Sequence, residues 1–197
     1  MRTSLMRVAV IVLAIVGLSV SAAHAAPIVY PNPGFEAPDS TFAAGLGGFL
    51  VGYYTGAVGG YSVNVGASAN GVDLPNIGLN NKTSFYGDRI VFGAVSPGDV
   101  LVFFIDVVDT GDRFFSDKSL NPDGVNHTWT NVYGGDSLVP AGFNLAFEDL
   151  YGGGDFNYYD HSIVVGIEQA AVPEPGGTML LLGSGLLGLV AFRRRSA

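Results

Sequence analysis

Carboxylate chemistry is concentrated in one short stretch. From Phe147 to Asp160 the chain reads F-E-D-L-Y-G-G-G-D-F-N-Y-Y-D, and Glu148, Asp149, Asp155, Asn157 and Asp160 all fall within thirteen positions. Gly152–Gly154 stand between the first two acids and the rest. Glycine takes φ > 0 without steric cost, so this triple can turn the chain sharply and fold the first carboxylates back toward the second set. Clustered carboxylates repel one another and need a cation, a proton or solvent. Oxygen donors at alternate positions along a loop suit calcium, a hard cation that takes 6 to 8 oxygens. They do not suit zinc, which prefers nitrogen and sulfur. Glu148, Asp149, Asp155, Asn157 and Asp160 are therefore the candidate metal set, with calcium as the cofactor. The spacing is not that of an EF-hand, since neither the glycine nor the glutamate that such a loop needs follows Asp155 at the sixth and twelfth positions. The same residues equally make turns, because Asp and Asn bond nearby backbone N–H groups. Both readings stand at this level.

Other chemistry is thinner. The chain has no cysteine, which excludes disulfides, thiolate zinc and cysteine nucleophiles. Asp160 and His161 are neighbours, and neighbours on a strand face opposite sides, so they do not begin a triad. Ser137 and Ser162 lack a nucleophile-elbow context. His127 and His161, without cysteine, make only a weak case for zinc. No catalytic residue is assigned, and the chain reads as a non-enzyme. The rival is a carbohydrate-active hydrolase using carboxylates of the 148–160 loop. Aromatic side chains such as Trp129, Tyr53, Tyr54, Tyr133, Tyr158 and Tyr159 could stack on sugars, although such residues more often pack strands. A second acidic series, Asp106, Asp109, Asp112 and Asp117, reads as a solvated hairpin turn around Asp109-Thr110-Gly111-Asp112.

The elements that must position these residues are strands. No segment has a helical period, whereas β-prone runs recur at 49–54, 61–65, 89–94, 99–108, 144–147 and 162–167. The run DVLVFFIDVV at 99–108 is the densest, and its unbroken apolar character predicts a central strand over Val100–Val107 buried on both faces. Gly-, Asn-, Asp- and Pro-rich clusters at 56–60, 69–74 and 121–126 punctuate the gaps. The expectation is all-β: a mainly antiparallel β-sandwich or jelly-roll over residues 50–171, preceded by a Pro/Gly-rich lead-in at 26–49.

Both ends are of another kind. Arg2 and Arg7 precede the apolar run Val8–Val20, and Ala23-His24-Ala25 fits a small-x-small cleavage pattern, so residues 1–25 read as a signal peptide with a helical apolar core. At the other end, Val172-Pro173-Glu174-Pro175 is stiff and extended. An apolar stretch at 178–192 reads as a short membrane helix, rising about 22 Å against a hydrocarbon core of about 30 Å. Arg193, Arg194 and Arg195 close it and would stay on the cytoplasmic side. Between the ends, Lys82, Arg89, Arg113 and Lys118 face sixteen carboxylates, a net charge of −12. That argues against nucleic acid and anionic membrane surfaces as partners.

The order Pro173-Glu174-Pro175, glycine-bearing apolar stretch, Arg193–Arg195 resembles the PEP-CTERM sorting signal of Gram-negative bacteria. The resemblance spans 172–197. It implies an exosortase-type protease as processing partner, cleavage near the motif, and passage through the secretion machinery to the cell surface or an exopolysaccharide matrix. The inner membrane would be a transient stop. The acid loop in turn resembles the signature of DUF4114, an extracellular domain without an established activity. Phe147-Glu148-Asp149-Leu150, Gly152-Gly153-Gly154-Asp155, Tyr158, Asp160 and the strand Ile163–Val165 match it, and 121–127 is similar to its upstream loop. Asn157 and Tyr159 depart from the signature and lower its oxygen count. Together these readings predict an exported envelope or matrix protein of structural or binding type, with weak affinity for calcium or matrix polysaccharide.

Overall fold

The structure, a computed structural model, describes residues 32–169; the signal peptide, the sorting tail and the helix expected at 178–192 lie outside them. Ten strands form two antiparallel five-stranded sheets. In the first, β1 (Phe42–Ala43), β6 (Val100–Val107), β3 (Val63–Ala69) and β4 (Val72–Asp73) lie in that order, and β7 (Arg113–Phe115) also pairs with β6. In the second the order is β5 (Arg89–Val95), β2 (Gly48–Gly56), β10 (His161–Glu168), β9 (Gly142–Phe147) and β8 (Thr128–Tyr133). Among the described residues there is no α-helix, only two 3₁₀ turns at Lys118–Leu120 and Tyr151–Gly153.

The sheets share one core. Leu101, Phe103, Ile105 and Val107 alternate inward along β6 and meet Leu50, Phe92, Leu145, Phe147, Ile163 and Val165 of the second sheet. Fully burying side chains of this size contributes roughly 1.5–3 kcal/mol each, so this seam fixes the register of both layers. The opposite face of β6 is covered as well. Phe104 lies under the Arg113 guanidinium, 3.8 Å from the ring centroid, and beside Phe115. Gly66 makes room for that ring, since a Cβ there would lie 2.4 Å from it. The expected central strand is therefore present, with its apolar run used on both faces.

Four strands are additional to the six runs read from the sequence. Of these, β1, β4 and β7 are two or three residues long. Strand β8 is six residues long and polar at Thr128 and Asn131, as befits the edge of a sheet. Residues 37–40 run beside β8 and the turn before it, where Asn126 Nδ2 donates to the carbonyls of Ala37 and Pro38 and Ser40 bonds Thr130.

Candidate metal centre

The acid loop is the connection between β9 and β10. Phe147 and His161 are opposite each other in the ladder, so everything from Glu148 to Asp160 must leave the sheet and return to the same point. Gly152, Gly153 and Gly154 make that reversal with φ of 75°, 79° and 50°. At Gly154 the reason is also steric, because a Cβ would come 2.9 Å from Glu148 Oε1. Tyr158 then drops into a small core with Ala37 and Ala146. Its hydroxyl donates to Asn126 O at 3.0 Å and accepts from Ala37 N at 2.8 Å. Finally Asp160 N donates to Phe147 O at 3.0 Å and closes the loop.

The return brings Glu148, Asp149 and Asp160 together, with one carboxylate oxygen from each lying within 4.8 Å of the others. Glu148 is 0% and Asp149 4% exposed; Asp160 is partly buried. Backbone amides meet part of their hydrogen-bonding need: Leu150 N and Asn157 N donate to the two Glu148 oxygens, each at 3.1 Å, and Asp149 N donates to Asp160 Oδ2 at 3.2 Å. Asp149 Oδ2 is buried and has no hydrogen-bond partner. No lysine or arginine forms a salt bridge with the three among the described residues. Burial, and then the negative charge of Asp160, push the Glu148 carboxyl up to about 8 and the Asp149 carboxyl up to about 7. Burial also raises Asp160. Near neutrality the group holds protons that ordinary carboxylates have released.

Asp155 is not among the three that converge, and Asn157 touches the group through its N–H on Glu148 Oε2. Asp155 is exposed, and its Oδ1 accepts from Asn157 N at 3.1 Å. Asn157 Oδ1 accepts in turn from Tyr159 N at 3.2 Å. Both shape the return of the loop in the manner of Asx turns.

Several residues that reach the site lie far from the acid cluster along the chain. Loop 56–60 packs against Asp160, so closely that a Cβ on Gly59 would lie 2.8 Å from Asp160 Oδ1. Lys82 Nζ donates to Gly59 O at 2.7 Å, and Asn81 Nδ2 donates to Asp160 O at 3.2 Å. On the other side, loop 121–127 underpins the glycine turn. Asp123 Oδ2 accepts from Gly152 N at 2.7 Å and bonds His127 Nε2 at 2.9 Å. His127 Nδ1 in turn bonds Glu148 O at 2.9 Å, and its ring stacks on Phe114 at 3.9 Å. His161 points into the core, away from Asp160. There it bonds Leu79 O through Nε2, and burial pushes its pKa down to about 4.

The second acidic series is differently placed. Asp106 binds Arg113 through both oxygens, at 2.6 and 3.0 Å. Asp109 accepts from Ser62 N, and Asp117 caps the 3₁₀ turn at Ser119 N. A cavity of about 580 Å³ opens between the sheets elsewhere and is lined by Phe42, Leu50, Leu101, Phe103, Phe143 and Ile167, with no carboxylate in its wall. The candidate sugar-stacking aromatics are engaged in packing and hydrogen bonding: Tyr53 with Glu168, Tyr54 against His161, Tyr133 with Asp136, and Trp129 and Tyr158 in the small core.

Residues 171–195 match the PEP-CTERM protein-sorting motif. The motif implies an exported protein processed by an exosortase and handled at the membrane before it reaches the surface. No curated protein and no solved structure matches the chain. Among the described residues, no helix is long and apolar enough to cross a membrane.

Proposed function

We propose that the protein is a non-enzymatic surface or matrix component, a two-sheet sandwich akin to DUF4114 domains, whose β9–β10 loop binds calcium through Glu148, Asp149 and Asp160. The observation that carries this reading is the convergence of three carboxylate oxygens within 4.8 Å, together with a buried, unpartnered Oδ2 on Asp149. Oxygens on opposite sides of a calcium ion at 2.3–2.6 Å are about 4.6–5.2 Å apart, so three at this spacing can share one ion, with carbonyls and water completing the shell. Magnesium, at 2.0–2.1 Å and near-octahedral, would require them to close up to about 4.2 Å or less. The hydrolase reading is less well supported, because a glycosidase pair flanks an open substrate groove and Glu148 is fully buried.

The test is thermal unfolding and calcium titration of the purified protein at pH 8. Extracellular calcium modules work at roughly 10⁻⁴ to 10⁻³ M, so 10 mM calcium should stabilise by about 1.4–2.7 kcal/mol. That is a rise of several degrees in Tm, with a smaller one for magnesium. Asp149→Asn should abolish the rise, and Asp155→Asn should leave most of it. A melting curve unmoved by 10 mM calcium at pH 8 would leave 147–160 as turn architecture alone.

A further inference from the structure

We propose that Lys82 is a resident counter-charge of the carboxylate centre and holds its calcium affinity down; the inference rests on the calcium reading above. Lys82 follows Asn81, which reaches Asp160 O, and its ammonium is fixed on Gly59 O at 2.7 Å, on the loop that presses against Asp160. The cation is thus tied to the layer of chain that covers the centre, while its side chain stays exposed to solvent. Gly59 packs on Asp160 Oδ1, so an ammonium bound to the Gly59 carbonyl sits beside the carboxylate centre. Asp149 Oδ2, buried and unpartnered, is the atom a cation would satisfy and a surface lysine does not reach.

The consequence follows from charge alone. Three carboxylates and one calcium ion leave a net −1, which Lys82 brings to zero, but the ion must bind beside an existing positive charge. A divalent and a monovalent cation several ångströms apart at a wet surface repel by about 1 kcal/mol. Removing the ammonium should therefore tighten calcium by about 3- to 10-fold, since 1.4 kcal/mol is tenfold. The gain should shrink at 0.5 M salt, where the screening length is only a few ångströms. A merely structural lysine would act in the opposite direction: losing its bond to Gly59 would loosen the loop over Asp160 and weaken binding.

The experiment is calcium titration of the full chain in detergent at pH 8, by calorimetry, for the wild type, Lys82→Gln, Lys82→Arg and Lys118→Gln. Lys118 pairs with Glu36 and controls for net charge. The expected result is tighter binding by Lys82→Gln only, with Lys82→Arg close to the wild type and the difference reduced by salt. Equal or weaker binding by Lys82→Gln, alongside a wild type that binds, overturns the role of Lys82 and leaves the site standing. Tightening by Lys118→Gln of the same size overturns it too, as an effect of net charge. A wild type that binds no calcium removes the site and this inference together. Should Lys82→Gln fold poorly, Lys82→Met gives the same reading.

Discussion

Two acidic loops of this protein have similar composition and opposite physics. The β6–β7 hairpin carries Asp106, Asp109 and Asp112, and each is exposed or partly exposed. Asp106 has an arginine, and Asp109 has a backbone amide. The β9–β10 loop carries Glu148, Asp149 and Asp160, buried or partly buried, within 4.8 Å of one another and without a salt bridge. Acid content therefore does not distinguish a site from a turn. What distinguishes them is whether the fold leaves each carboxylate water or a cationic partner, since backbone amides serve both loops. The first loop does, whereas the second leaves burial and mutual repulsion to be answered by a proton or a cation.

The contrast can be broken most forcefully at Tyr158. If the second loop is part of the core rather than a surface turn, Tyr158→Ala should cost about 3–5 kcal/mol, as for other large buried aromatics. Thr110→Ala in the exposed hairpin should stay within about 0.5 kcal/mol. Urea unfolding of both variants measures the difference, and similar costs would refute the contrast.

Glycine substitutions sharpen it next. Gly111 and Gly154 both have positive φ, at 80° and 50°. A Cβ on Gly111 meets open space, while one on Gly154 lies 2.8 Å from Leu150 Cδ1 and 2.9 Å from Glu148 Oε1. Gly111→Ala should cost only the conformational penalty, about 1–2 kcal/mol. Gly154→Ala should add an overpacking cost of about 1–3 kcal/mol. It should also displace Glu148 and lose the calcium response, while Gly111→Ala keeps it.

How much of this could be read in advance depends on what each feature needed. The strand Val100–Val107 was legible because both of its faces are buried and its apolar run is unbroken. Strand β8 was not, because an edge strand tolerates Thr128 and Asn131 and so blurs its own alternation. The acid loop was legible as a cluster, since glycines and carboxylates stand together in sequence. Which acids converge was not. That choice depends on Phe147 pairing with His161, on Tyr158 sinking beneath the loop, and on Gly59, Asn81 and Lys82, all distant along the chain. Asp155 and Asn157 have the right oxygens, and each has one engaged in the local turn.

The pH response tests the unanswered charge directly. A carboxyl raised in the folded state contributes stability that is full below its unfolded pKa and lost as pH rises through its folded one. For Glu148 that window runs from about 4.5 to about 8, and for Asp149 from about 3.8 to about 7. His161, lowered to about 4 from 6.5, works in the opposite sense and only below pH 6.5. In EDTA, stability should therefore fall between pH 6.5 and 8, by about 2–3 kcal/mol at 1.36 kcal/mol per pKa unit. The urea midpoint reports it. Excess calcium should flatten the slope, because the ion replaces the protons, and Glu148→Gln with Asp149→Asn should flatten it without calcium. A level profile in EDTA would mean that the three acids are ordinary.

The smallest effect is expected where charge is already answered. Asp106 and Arg113 form a two-oxygen pair, yet both side chains are about one-third exposed, at 31% and 32%. Their attraction is screened by water, and holding two side chains in one geometry costs entropy. Asp106→Asn also leaves Arg113 its bond to Asp73 at 2.7 Å and its place over the Phe104 ring. The loss should be no more than about 1 kcal/mol, and smaller in 0.5 M salt. A loss of about 3 kcal/mol would put this pair in the class of buried ion pairs. The hairpin would then hold its acids as tightly as the β9–β10 loop does, and partnership rather than burial would be the property that separates the two.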